Sequence, residues 1–182
     1  MENDHRAKLL LAIKTKAYRE GDFTLASGKK SDYYIDMKEV TLGAEGCLLV
    51  GEAIFDKIKD WGVSEVGGME LGSVPISTAV SLVSAQKGAP LGNFIVRKES
   101  KGHGTGKKIE GKIGPGVKVV VVEDVVSTGG SSMKAIAAIE EAGAEVAGVV
   151  TIVDREMGGA DTFAHRNIRF EPLFTVSQIK AG

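Results

Sequence analysis

The chain has 182 residues, with 23 Lys or Arg and 24 Asp or Glu, so its formal net charge is −1. The length is typical of one domain, and 43% hydrophobic with 26% charged residues excludes a disordered tail. The near-neutral balance excludes a general nucleic-acid binder, which needs a basic excess. The charged start argues against a signal peptide, and no apolar run approaches the length of about 18 residues that a membrane span requires. With one cysteine, Cys47, we expect a cytoplasmic protein without disulfides.

Apolar periodicity predicts alternating helices and strands through the first half of the chain. The predicted elements are a helix over 4–19, strands at 23–25 and 33–35, a helix over 43–60, a strand at 64–69, a helix over 74–86 and a strand at 91–97. Residues 98–116 are rich in Lys and Gly and have no apolar period. They predict a mobile functional loop or a disordered insert, since a routine connection is shorter.

The second half begins with the most apolar segment of the sequence. Residues 117–122 are nearly all valine, which indicates a strand covered by helices on both faces. A helix over 130–142 and a strand at 146–153 follow. The alternation predicts an α/β fold with a parallel sheet, in which ligands bind beyond the carboxyl ends of the strands.

The residues after the valine run are typical of a phosphate-binding turn. Glu123 and Asp124 are followed by Val125 and Val126, and then by Ser127-Thr128-Gly129-Gly130-Ser131 at the start of the predicted helix. Glycines let the backbone approach a ligand, and a helix N-terminus offers free N–H groups. The two carboxylates fit the hydroxyls of a sugar, so a phosphorylated ribose satisfies both halves. The simpler alternative is a capped helix beside solvated charges.

This motif resembles the phosphoribosyl-pyrophosphate (PRPP) binding motif of type I phosphoribosyltransferases. The resemblance implies a central, mostly parallel sheet flanked by helices. It also implies a single domain over residues 1–182, with a small hood formed by about residues 1–40 and the C-terminal segment.

The Lys/Gly-rich loop resembles that of one particular kind of type I phosphoribosyltransferase. Residues 97–111 read Arg-Lys-Glu-Ser-Lys-Gly-His-Gly-Thr-Gly-Lys-Lys-Ile-Glu-Gly and are similar to the catalytic loop of orotate phosphoribosyltransferases. Residues 23–36, residues 68–75 and Arg155 also resemble segments of that family. The implied reaction joins PRPP and N1 of orotate, in pyrimidine biosynthesis, to give orotidine 5′-monophosphate and pyrophosphate. Alternatives are a purine-base phosphoribosyltransferase and a non-catalytic PRPP-sensing regulator.

The resemblance also implies the roles of individual residues. It implies catalytic roles for Lys101, His103 and Asp124, and orotate contacts for Tyr34, Ile35, Ser127 and Arg155. It implies that PRPP is bound by Arg97, Lys98, Lys101, His103, Glu123, Asp124, Val125, Val126, Ser127, Thr128, Gly129, Gly130 and Ser131. Mg²⁺ is expected to be held mainly by PRPP and water, with no protein metal site, and the active sites are expected to be shared in a homodimer. No nucleic acid or membrane is expected as a partner.

Two positions depart from many bacterial members, which carry lysine where this chain has Ala26 and a Tyr-Lys pair where it has Leu71-Gly72. In these the chain is more similar to the archaeal short form. A side-chain contact to pyrophosphate is therefore not expected at position 26 or 72, and backbone N–H groups of residues 70–73 are candidates for that role.

Overall fold

A computed structural model describes residues 2–24, 28, 30–99 and 108–181. Within these ranges the chain forms a six-stranded sheet flanked by helices and a separate two-stranded sheet. In chain order the elements are α1 (Glu2–Ala12), a π-helical segment (Ile13–Ala17), β1 (Tyr18–Thr24), β2 (Lys30–Ile35), α2 (Lys38–Thr41), α3 (Ala44–Ile58), β3 (Glu65–Met69), α4 (Ser73–Gln86), β4 (Gly92–Val96), β5 (Ile109–Glu110), β6 (Lys118–Val126), α5 (Gly130–Glu141), β7 (Glu145–Asp154), α6 (Gly159–Ala164), β8 (Phe170–Thr175) and α7 (Val176–Lys180).

The large sheet has the strand order β5-β4-β3-β6-β7-β8. Its strands pair in parallel except at the edge, where β5 is antiparallel to β4. The chain moves outward from β3 to β4 and then returns to place β6 on the other side of β3. This reversal between β3 and β6 is the point at which open α/β sheets bind ligands. The predicted α/β class with a mostly parallel sheet is confirmed.

The side chains of β6 alternate between two apolar cores, one on each face of the sheet. Val120 and Val122 pack in the core that includes residues of α1, α3 and α4. Val119 and Val121 face the core formed with α5 and α6. All four are fully buried, as the valine run predicts for a strand covered on both faces.

The structure corrects several predicted boundaries. The strand β6 does not end before the acidic pair but continues to Val126, because its ladder with β7 extends to the pair Val126–Asp154. The first helix was predicted too long, since β1 already begins at Tyr18. Residues 109–110 form a short strand inside the predicted irregular loop because they pair with Ile95 and Val96 of β4. The sequence analysis assigned no element to α2, α6, β8 or α7.

The described helices are of ordinary length for a globular fold, with 15 residues in α3 and 14 in α4. None of the helices in the described ranges is both long enough and apolar enough to span a bilayer.

The two-stranded sheet of β1 and β2 lies beside the C-terminal helix. The Lys180 ammonium on α7 makes an ion pair with Asp32 on β2, with a distance of 2.9 Å, and lies 4.5 Å from the ring centroid of Tyr33. The first and last segments of the described chain therefore meet at one end of the molecule.

Candidate active site

A cleft of about 320 Å³ opens where β3 and β6 separate. The pairing of these strands ends at Gly67 and Val121, while β6 continues for five more residues to Val126. The cleft is bounded by the loop after β3, by Lys98 two residues past the end of β4 and by the last part of β6. Its lining residues are Lys38, Glu70, Leu71, Gly72, Lys98, Glu123, Asp124, Val125 and Ser131.

Asp124 sits directly under the loop between β3 and α4. A Cβ atom built on Gly72 would lie 2.7 Å from Cγ and Oδ2 of Asp124 and 2.8 Å from Oδ1. The carboxylate also accepts a hydrogen bond from the backbone N–H of Val125, with an N···Oδ1 distance of 2.8 Å. Glycine at position 72 thus makes room for the half-buried carboxylate, and a lysine could not occupy that position without displacing it.

Glu123 points to the opposite face of β6 and is buried, with 7% of its surface exposed. One of its carboxylate oxygens accepts a hydrogen bond from the Ser132 hydroxyl at 3.3 Å. Burial, reinforced by the neighbouring Asp124 charge, raises the pKa of Glu123 to about 8. At neutral pH Glu123 is therefore largely protonated and can donate as well as accept a hydrogen bond.

The predicted phosphate turn forms a second cavity of about 230 Å³, lined by residues 125–132 together with Glu123. Gly129, the residue before α5, has a left-handed backbone with φ of +81°, which favours glycine. No side chain of the described residues caps this helix end, so its first backbone N–H groups face the cavity without a capping partner there. Glu123, Val125 and Ser131 line both cavities, so the turn and the cleft are continuous.

The cationic residues at the end of β4 take two different positions. The backbone N–H of Lys98 donates to Glu70 Oε1 at 2.9 Å, and the Lys98 residue lines the cleft. Arg97 instead faces the short strand β5, where its guanidinium lies 3.6 Å from the Glu110 carboxylate. The loop residues Lys101 and His103, predicted to be catalytic, lie outside the described residues.

Arg155 lies immediately after the carboxyl end of β7, in a cavity of about 390 Å³. Its Nε atom donates to the Tyr33 hydroxyl at 3.0 Å, and Nη2 donates to the Ser31 hydroxyl at 3.4 Å. Of the β2 residues predicted to bind orotate, Tyr34 is exposed and packs against Phe23, with ring centroids 5.5 Å apart.

The strand β2 therefore presents Ser31 and Tyr33 to Arg155, while Tyr34 lies on its other face. The sequence analysis missed both partners of Arg155, although the two-residue alternation of a strand was the signal that could have found them. The predicted contacts of orotate with Tyr34 and Ile35 stay predictions. Ile35 is half-buried next to the core of the sheet, and Ser127 lines the phosphate turn.

Sequence analysis missed Lys38 as a residue of the cleft, whereas Glu70, Leu71 and Gly72 of the predicted segment 70–73 do line it. No local motif marks Lys38, because it reaches the cleft from the segment between the two-stranded sheet and α3. Ala26, at the other position that departs from the family pattern, lies outside the described residues.

Comparison with known proteins agrees with this geometry. The phosphoribosyl transferase domain family matches residues 48–167. Orotate phosphoribosyltransferase of Rhodopirellula baltica is 43% identical over 96% of this chain and 93% of its own length. The Synechocystis enzyme of that name is 47% identical, over 96% and 88%.

A solved structure is similar over almost the whole chain. Orotate phosphoribosyltransferase of Mycobacterium tuberculosis superposes with a TM-score of 0.86 at 35% identity, covering 96% of this chain and 98% of that one. The same enzyme has also been solved with bound PRPP, and that structure has a TM-score of 0.79 at 29% identity, covering 97% of this chain and 92% of the other. The cleft at the β3–β6 junction, the glycine turn and these relatives together lead to one conclusion: the chain belongs to the orotate phosphoribosyltransferases, type I phosphoribosyltransferases that transfer the phosphoribosyl group of PRPP to orotate in pyrimidine biosynthesis.

Proposed function

We propose that PRPP lies along the last part of β6, with its 5′-phosphate in the turn of residues 127–131 and its diphosphate in the adjoining cleft. One observation carries this placement, namely that the phosphate turn and the acidic cleft are continuous and share Glu123, Val125 and Ser131. A sugar phosphorylated at one end and activated at the other fits two such connected compartments.

In this proposal the 5′-phosphate accepts hydrogen bonds from the backbone N–H groups at the start of α5. The helix dipole favours an anion at this end. The Thr128 and Ser131 hydroxyls, both on exposed residues of the turn, provide further donors. Val125 and Val126 contribute backbone only, since Val126 is buried in the core.

The two acidic residues take different parts in the proposal. Asp124 faces the cleft and accepts hydrogen bonds from the ribose hydroxyls. Glu123, with its pKa raised to about 8, adds a second contact from the side of the phosphate turn and is held by Ser132. The ribose is thus fixed between the two compartments.

The reaction is a displacement at the anomeric carbon. The N1 atom of orotate loses its proton and supplies the electron pair for the new C1–N1 bond, and the electrons of the breaking C1–O bond leave with pyrophosphate. The N1 proton passes to the departing pyrophosphate or to water. Positive charge grows on the ribose while negative charge grows on the leaving group, so no covalent protein nucleophile is needed. Positioning by the phosphate turn and stabilisation of the two charges account for catalysis.

The leaving group requires cations, and the loop after β4 is proposed to supply them. Lys98 lines the cleft already, while the roles of Arg97, Lys101 and His103 are carried over from the family resemblance. Arg97 would have to leave its ion pair with Glu110, which is long at 3.6 Å and easily exchanged for a phosphate.

Orotate is proposed to bind beside Arg155. Its carboxylate matches the guanidinium, in which Nε donates to Tyr33 and one N–H of Nη2 donates to Ser31. Nη1 and the second N–H of Nη2 have no hydrogen-bond partner among the described residues and can donate to a ligand. Arg155 also lies close to the phosphate turn, because its backbone N–H donates to the Val126 carbonyl at 2.8 Å. The base and the ribose are thus brought to the same edge of the sheet.

We also propose that the enzyme uses Mg²⁺. The described residues contain no group of three or more His, Cys, Asp or Glu side chains arranged to hold a metal. The acidic cleft nevertheless fits a cation that arrives with PRPP, because Asp124 provides a carboxylate beside the expected ribose hydroxyls. Mg²⁺ prefers substrate oxygens and water, and when bound it would neutralise diphosphate charge.

A homodimer is proposed on the basis of exposed leucines on α3, on α4 and on the loops that adjoin them. The helices α3 and α4 run side by side in the same direction, since Cys47 Sγ lies 3.8 Å from the Pro75 carbonyl and Gly51 packs on Ala79. Exposed leucines lie on these helices and on the adjoining loops, and such apolar surface is typical of protein interfaces. They are Leu42, Leu48, Leu71 and Leu82.

Shared active sites can be tested by mixing two inactive variants. Lys101→Ala is expected to lower turnover by about 10²–10³, while Asp124→Asn impairs the PRPP pocket. If the loop crosses the interface, a mixed dimer contains one site with both lesions and one with neither, and activity returns. Verified heterodimers that regain nothing would show that each loop serves its own chain.

The activity itself is tested by the loss of orotate absorbance in the presence of PRPP and Mg²⁺. Adenine, hypoxanthine and uracil serve as competing bases, and Mg²⁺ removal by chelation tests the metal. We expect turnover with orotate alone and its loss on chelation. Equal or faster turnover with a purine base would contradict the assignment of Arg155 and the loop to orotate transfer.

A further inference from the structure

Lys38 is a cation of the cleft that belongs to none of the motifs described above. It is the first residue of α2 and reaches the cleft from the segment that follows β2. There it lines the cleft together with Leu71, Gly72, Lys98 and Asp124. Its side chain is 46% exposed, so the ammonium is accessible to a ligand.

Asp36 holds Lys38 in place through two contacts. One Asp36 carboxylate oxygen, Oδ1, lies 2.6 Å from the Lys38 ammonium and also accepts a hydrogen bond from the Lys38 backbone N–H at 3.1 Å. The Asp36 backbone N–H in turn donates to the Ala17 carbonyl at 3.0 Å, which anchors this turn to the end of the π-helical segment. The hydrogen bond from Lys38 to Asp36 keeps the pKa of Lys38 above its ordinary value, so the side chain is charged at neutral pH.

The charge of the cleft explains why another cation is required. Among the described lining residues, Glu70 and Asp124 are acidic, Glu123 is largely protonated at neutral pH, and Lys38 and Lys98 are the basic ones. Gly72, in the loop above the cleft, leaves no space for a side chain beside the Asp124 carboxylate. A diphosphate entering this cleft therefore meets side-chain positive charge from Lys38 and Lys98 on the described walls.

We infer that Lys38 binds the diphosphate group of PRPP and the departing pyrophosphate, and that Asp36 positions it for this contact. The inference rests on the proposed placement of PRPP along β6. In this role Lys38 stabilises the negative charge of the leaving group from the segment that follows β2, in addition to Lys98 after β4. Asp36 acts only through Lys38 and does not touch the substrate.

The test compares Lys38→Met with Lys8→Met. Lys8 forms a similar pair with Asp4, at 2.8 Å and 55% exposure, but lies on α1 away from the cleft, so it is a matched control. Two quantities are measured, the KM for PRPP and the inhibition constant of inorganic pyrophosphate. Lys38→Met is expected to weaken both by about tenfold, the lower range for a hydrogen bond to a charged group, and to leave the KM for orotate within about twofold.

Two further variants separate binding from a structural role. Lys38→Arg keeps the charge and should restore most of the pyrophosphate affinity, whereas Asp36→Asn should weaken pyrophosphate less than Lys38→Met does. Equal behaviour of Lys38→Met and Lys8→Met, or equal damage by Lys38→Met and Lys38→Arg, would overturn the inference. If the wild-type chain consumes orotate, either of those results overturns only the role of Lys38 and not the transfer reaction. A wild-type chain that does not consume orotate refutes the transfer reaction itself.

Discussion

The packing of Gly72 against Asp124 predicts that Gly72→Ala damages the site without damaging the fold. The backbone at Gly72 has φ of −59° and ψ of −38°, which alanine adopts without strain. The added Cβ, however, would lie 2.7 Å from Cγ and Oδ2 of Asp124. Since that separation is well inside van der Waals contact, the carboxylate must turn away from its present position.

The size of the effect follows from what the carboxylate does. A hydrogen bond to a charged group is worth about 1.5–3 kcal/mol, so losing the Asp124 contact with ribose lowers kcat/KM for PRPP by about 10- to 160-fold. The free energy of unfolding should fall by less than about 1.5 kcal/mol. The Asp124 carboxylate loses its hydrogen bond from the Val125 backbone N–H when it turns, but it is only half-buried and is hydrated in the new position. The KM for orotate should stay within about twofold.

The assay is steady-state orotate consumption at varied PRPP, with urea unfolding of the same samples. Gly114→Ala is the control, since a Cβ there meets nothing of the described chain within 4 Å. In an Asp124→Ala background there is no carboxylate to displace, so adding Gly72→Ala should not weaken PRPP binding further in calorimetry. The reasoning is refuted if Gly72→Ala matches the control, or if its full effect persists without the Asp124 carboxylate.

Two further predictions concern stability. The folded-state pKa of Glu123 is raised to about 8 from 4.5, so the folded protein binds this proton more tightly than the unfolded chain does. The contribution of Glu123 to the free energy of unfolding therefore falls as pH rises from 4.5 to about 8. Glu123→Gln should remove that fall and have a higher free energy of unfolding than wild type at about pH 8 in urea titrations, and parallel pH profiles for the two proteins would contradict the burial argument. Gly129→Ala should destabilise the fold by about 1–2 kcal/mol, because an alanine is strained at φ of +81° and its Cβ would lie 3.1 Å from the Phe163 ring. The control, Gly130→Ala, should be neutral or stabilising, since its Cβ would lie 3.9 Å from Thr128 Oγ1. Equal melting temperatures for the two variants would rule out the strain at position 129.

Local sequence was sufficient to predict the parts of the site that are contiguous in the chain. The valine run, the acidic pair and the Ser-Thr-Gly-Gly-Ser turn form strand, turn and helix start in succession, so their spacing sets their geometry. A strand buried on both faces needs apolar residues throughout, and the helix start needs glycine at φ of +81°. The α/β class and the phosphate turn therefore follow from the order of residues along the chain.

Long-range packing instead selects the distant residues that complete the site. Arg155 meets Tyr33 from 122 residues away, and Lys98 meets Glu70 from 28 residues away, through contacts that no local pattern encodes. The pairing of β3 with β6 opens the cleft, and the face of β2 that meets Arg155 follows from how the two sheets pack. Sequence periodicity determines which residues share a face, but which face meets which neighbour is set by the packing free energy of the whole fold.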